Sequence, residues 1–120
     1  MHTPVRPRLR PWRRGFALKQ KEIASLLGIK STTHVSRIEN GHRAPSLEIA
    51  IAFELLTGER ICFLFPHKFK EVESKTIRRV ERLRDRLEAV ESLSAQRKRE
   101  LLIDVLDRVT ERNPSTLHVE

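Results

Sequence analysis

Cysteine occurs once in the 120 residues, at Cys62, so no internal disulfide framework is available and a reducing compartment is implied. Aromatic residues make up only 5% and tyrosine is absent, which leaves no set of stacking platforms for single-stranded RNA. Glycine is scarce too, at four positions, and the turn-dense pattern of a β-sandwich is missing. No apolar run approaches the roughly 18 residues of a membrane span. The acid-free N-terminal segment is too poor in apolar residues for a secretory signal. Paired acid and base groups, a glycine-rich phosphate loop and metal-ligand spacings are also lacking, so nothing supports an enzyme, and neither a cofactor nor a metal is expected. His34 and His42 come nearest to a ligand pair, but no cysteine or carboxylate cluster completes them. These absences describe a soluble, cytoplasmic protein without membrane contact.

What is present is positive charge, unevenly placed. The formal net charge is +8, and residues 1–21 hold Arg6, Arg8, Arg10, Arg13, Arg14, Lys19 and Lys21 with no acid. Residues 22–66 are close to neutral and residues 67–120 mix both signs. A block of one sign at the N-terminus attracts a polyanion, nucleic acid first. With Pro4 and Pro7 among its arginines, residues 1–8 read as a flexible basic arm.

The composition, 33% charged and 38% hydrophobic, favours helices throughout. Leu9, Trp12 and Phe16 share one face of a first helix, with Pro11 tolerable only in its first turn. From Lys19, Ile23, Leu26 and Leu27 mark the apolar face of a second helix that stops at Gly28. Ser31 is a plausible N-cap for a third helix carrying Val35 and Ile38 and ending at Asn40-Gly41. Ser46 is placed to cap a fourth, so rich in apolar residues from Leu47 to Leu56 that it is expected at the centre of the core, and Gly58 stops it. A short fifth helix within Arg60–Phe65 precedes Pro66, with Cys62 a small core residue. Beyond it, Val80, Leu83, Leu87 and Val90 form one stripe. Leu101, Leu102, Val105, Leu106 and Val109 form another, on a helix that Ser94 could cap. Neither stripe can be buried by its own helix, so they pack on each other, on the preceding domain or on a second chain.

The order Gln20, Ala24, Leu27-Gly28, then Ser36-Arg37-Ile38-Glu39-Asn40-Gly41 and Arg43-Ala44-Pro45-Ser46-Leu47, strongly resembles the lambda repressor/Cro-like (XRE) family of helix-turn-helix regulators. The resemblance covers roughly residues 9–66. It implies an all-α fold: a five-helix lambda-repressor-like DNA-binding domain over 9–66, followed by a C-terminal helical hairpin within 67–120. The interval from Gly28 to Arg37 is one residue longer than the family's common spacing, which puts the extra residue within Lys30–Thr33 and leaves the first turn of the third helix open in register.

By that resemblance the third helix enters the major groove of double-stranded DNA. Thr32, Thr33, His34, Ser36 and Arg37 would read bases, since arginine can donate twice to guanine and threonine methyls can touch thymine. Lys19, Gln20, Ser31, His42, Arg43, Arg6 and Arg8 would hold the backbone, which sets register but reads no sequence. The function implied is a transcriptional repressor that binds an operator as a homodimer, associated with a bacterial or phage nucleoid. The alternative is an antitoxin-like interaction protein that holds a partner protein through its C-terminal helices and uses DNA binding to autoregulate.

Overall fold

The structure, a computed structural model, describes residues 8–112, so Arg6 and most of the basic arm lie outside the described residues. All regular structure among the described residues is helical: α1 (Leu9–Gly15), α2 (Gln20–Leu27), α3 (Thr32–Glu39), α4 (Leu47–Thr57), α5 (Ile61–Leu64), α6 (Pro66–Leu87) and α7 (Leu93–Arg112). The chain forms two compact units, divided between Glu71 and Val72 within α6.

In the first unit the helix limits follow from their caps. Ser31 accepts a bond from the Thr33 N–H at 3.2 Å and Ser46 one from the Ile49 N–H at 3.3 Å, each satisfying a donor that the first helical turn leaves unpaired. At the start of α2 the Glu22 carboxylate reaches back to the Lys19 N–H at 3.0 Å. Gly28 and Gly58 end α2 and α4 at φ +72° and +71°, a left-handed conformation that costs glycine little. With Ser31 as its cap, α3 starts at Thr32, so Thr32 and Thr33 both lie in its first turn. Pro11 sits in the first turn of α1, where its missing N–H is not needed.

The core gathers Leu9, Ile23, Ala24, Leu27, Ile29, Val35, Ile38, Phe53, Leu64 and Phe65, with Trp12, Leu18, Ile49, Ala52, Leu56 and Ile61 packed around it. Several expected members are not there. Phe16 and Leu26 face solvent, and α4 buries only Phe53 while Leu47, Ile51 and Leu55 lie outside at 77%, 50% and 81% exposure. An almost uniformly apolar helix has no preferred side, so its sequence could not say which face would be covered. Arg8, the last residue of the expected arm, holds the N-cap position of α1 with no side-chain cap bond, and its N–H donates to the Leu64 carbonyl at 3.0 Å.

In the second unit α6 and α7 pair antiparallel. Arg99 on α7 meets the end of α6, and thirteen residues further along α7 Arg112 bridges to Glu73 at 3.6 Å, fourteen residues back along α6. Ala95 and Leu102 are buried, while Ile77, Val80, Leu83 and Leu87 on α6 and Val105, Leu106 and Val109 on α7 are half-buried. The two stripes are thus partly covered within this unit. Two details differ from expectation: Val90 lies past the end of α6 and is exposed, and Leu101 is 57% exposed. The cap of α7 is Ser92, not Ser94, with its hydroxyl accepting the Ala95 N–H at 3.1 Å.

The Arg99 guanidinium donates to the carbonyls of Leu87 and Val90 at 2.7 and 2.8 Å, closing the last turn of α6 with a positive charge at the negative end of its dipole. Arg99→Ala is therefore expected to destabilise the hairpin by about 1 kcal/mol. Amide hydrogen exchange should speed up at the end of α6 and the start of α7. Unchanged exchange there would mean that water replaces the guanidinium without loss.

Candidate nucleic-acid interface

Helices α2 and α3 pack through the small Ala24 and the buried pair Val35 and Ile38, both fully inaccessible. With 3.6 residues per turn, burying positions 35 and 38 turns positions 33 and 37 to the opposite side. Thr33 and Arg37 are accordingly exposed one turn apart, Thr32 is exposed beside them, and Ser36 and His34 flank them half-covered. The five residues expected to read bases thus share the surface of one short helix, and its two apolar anchors face the core.

Beneath this surface lies an ion-pair cluster absent from the sequence-based expectations. Glu39 is wholly buried, and its carboxylate accepts from Arg13 Nε at 2.6 Å and Arg13 Nη2 at 3.0 Å, a two-pronged contact. Arg10 Nε adds a bond at 3.3 Å and Gln20 Nε2 one at 3.1 Å. Arg13 also donates to the Leu18 carbonyl at 2.8 Å, so α1, the loop before α2, α2 and α3 are held at one point. Burial alone would raise the Glu39 pKa. The hydrogen bonds from Arg13 and Gln20, the Arg13 charge and the Arg10 bond together outweigh it and hold the carboxyl below its usual range.

The cluster reaches the surface of α3. Arg10 Nη2 donates to Asn40 Oδ1 at 2.7 Å, which forces the Asn40 amide N–H toward Ser36 Oγ at 3.3 Å. Since the Ser36 oxygen accepts there, its own proton is left to donate elsewhere. Gln20, expected on a phosphate, is pinned by the carboxylate through one of its two N–H groups and keeps the other.

The remaining expected backbone contacts are placed less uniformly. Lys19, His42 and Arg43 are exposed, and the N–H groups of His42 and Arg43 are engaged by the Arg37 carbonyl at 2.9 and 3.2 Å, so only their side chains remain to meet a phosphate. Ser31 has its oxygen committed to the cap. The ring of His34, partly desolvated and facing the Arg43 charge, has its pKa lowered and stays neutral near pH 7. Arg37 does not pair with Glu39, whose carboxylate points inward to Arg13 and Arg10. Among the described residues no group of three or more His, Cys, Asp or Glu side chains could hold a metal, and no helix is long and apolar enough to cross a membrane.

Two signals could have exposed the buried cluster. Glu39 falls on the same side of α3 as Val35 and Ile38, and an acid on an inward face needs a cation beside it. The acid-free segment of residues 1–21 supplies several cations, but which one turns inward depends on contacts 26 residues apart in the chain.

Residues 12–64, the span from within α1 through α5, match the helix-turn-helix family model. No curated protein and no solved structure gives a match.

Proposed function

We propose that this chain, a DNA-binding transcription regulator whose residues 12–64 form a helix-turn-helix domain of the lambda repressor/Cro-like type, is a repressor that reads an operator as a homodimer. The observation that carries the reading is the division of α3 into an inward face of Val35, Ile38 and Glu39 and an outward face of Thr33 and Arg37. Arg37 then donates twice to a guanine in the major groove, Thr32 and Thr33 meet neighbouring bases, and Ser36 donates its proton to a base or phosphate acceptor. Lys19, Gln20, His42, Arg43 and Arg8 hold the phosphates on either side. Repression follows from occupancy, since a protein seated on the operator excludes polymerase. The homodimer is supported by the line of Leu47, Ile51 and Leu55 left outside on α4.

Selection of bound sequences from random duplex DNA tests the proposal. A palindrome is expected, with half-sites about 10 base pairs apart, because a two-fold protein mirrors its symmetry in its site. A single asymmetric half-site would remove the dimer, and no enrichment at all would remove base reading.

A further inference from the structure

The second unit carries a charged surface that the helix-turn-helix does not use. On α6, Lys75, Arg79, Arg82 and Arg86 are all exposed. Spacings of four, three and four residues place them within an arc of about 60° on the helix surface, a stripe about 17 Å long. The acids of this stretch lie to its side or behind it: Asp85 borders the stripe, while Glu81 and Glu88 turn further away. Arg79, Arg82, Asp85 and Arg86 line a shallow open groove. Arg82 Nε is bonded only along its own helix, to the Arg78 carbonyl at 3.4 Å, and no ion pair engages Arg79, Arg82 or Arg86 among the described residues. Like charges three and four residues apart destabilise an isolated helix, so Arg79, Arg82 and Arg86 are a cost to the folded chain unless an anion meets them.

We propose that this face of α6 is a second contact surface for the phosphate backbone of double-stranded DNA. Its length covers about five base-pair steps of 3.4 Å, so three or four flexible cationic side chains can follow one strand. Arginine suits the task because its planar fork grips a phosphate through two donors. A lipid surface fits less well: Ile77, Val80, Leu83 and Leu87 on the apolar face of α6 are half-buried, and an interfacial helix needs that face free to insert. Duplex DNA is already brought to the chain by the domain of residues 12–64, so the anion that the stripe suits is the one at hand. The contact tracks phosphates and contributes affinity to any sequence, while base preference stays with α3.

The test compares binding of the full chain to a random-sequence duplex across a series of salt concentrations. In the triple variant Arg79→Gln/Arg82→Gln/Arg86→Gln, the slope of log affinity against log salt should become shallower by roughly 2 to 3, since each lost phosphate contact removes about 0.9. Helical content should be unchanged by circular dichroism. Replacing the same three residues by lysine should keep the slope. The pair Lys70→Gln/Arg84→Gln, on the other side of α6, should also leave it as it was. An unchanged slope in the glutamine triple overturns the proposal, as does an equal loss per charge in the off-stripe pair, which would reduce the effect to net charge. Base preference measured in the same triple keeps this surface separate from the α3 reading, because preference should survive there and vanish only when α3 is altered.

Discussion

Glu39→Gln should destabilise the first unit by about 3 to 5 kcal/mol, the usual cost of stripping one partner from a buried ion pair. The carboxylate is fully inaccessible, and Arg13 is 8% exposed with both prongs of its guanidinium on Glu39. A glutamine of the same shape offers one acceptor oxygen where the carboxylate offered two, and turns an N–H toward a guanidinium that can only donate. The positive charge of Arg13 is then left in a desolvated site, and Gln20 and Arg10 lose their anchor as well. Stability of this order is a large part of what a small domain possesses. The measurement is denaturant unfolding followed by fluorescence of Trp12, the single tryptophan, which packs against this core. A change below about 1 kcal/mol would show that water reaches the pair and screens it.

The same carboxylate should give the domain an acid limit. Its pKa is held below the ordinary value of 4.5, so its contribution to stability is complete at pH values above 4.5. It is lost as pH falls below that value and through the lowered folded pKa, where the native state has to take up the proton that the unfolded chain already holds. Part of the acid sensitivity of the wild type should therefore be missing from Glu39→Gln, which has no carboxylate to titrate at that position.

How far the sequence could be read depended on whether a feature was local. Ser31 and Ser46 as caps and Gly28 and Gly58 as stops each rest on three or four neighbouring residues, and the structure places them as expected. The inward pair Val35 and Ile38 followed from spacing alone. Features that depend on a distant surface were not legible. Leu26 on α2 and Phe16, just past the end of α1, stay largely exposed. In α4 nearly every position is apolar, so periodicity carried no orientation and Leu47, Ile51 and Leu55 could not be told from Phe53. The Arg13–Glu39 pair, central to the interface, joins two ordinary surface residue types that look solvated until the tertiary fold brings them together.

Arg37→Ala should separate recognition from folding. Arg37 is exposed, on the far side of α3 from Val35 and Ile38, and takes no part in the Glu39 cluster, so removing its side chain leaves the core and the ion pairs intact. Its thermal midpoint should stay nearly that of the wild type, as expected for a surface change within about 0.5 kcal/mol. Affinity for the selected operator should nonetheless fall by about 1 to 3 kcal/mol, the worth of a two-pronged arginine contact to guanine. Because base contacts carry preference and phosphate contacts do not, the loss should fall mainly on one base pair in each half-site, and random-sequence duplex should be bound almost as before. Thr33→Ala, one turn away on the same face, should alter preference at an adjacent pair. Gln20→Ala, by contrast, should weaken every sequence alike and also loosen the fold slightly, since its side chain bonds to Glu39. Binding of each variant to the operator and to its single-base changes, at one salt concentration, decides the matter. If Arg37→Ala weakened operator and random duplex by the same factor, the guanidinium would be holding a phosphate and the reading of sequence would have to come from Thr32, Thr33 and Ser36.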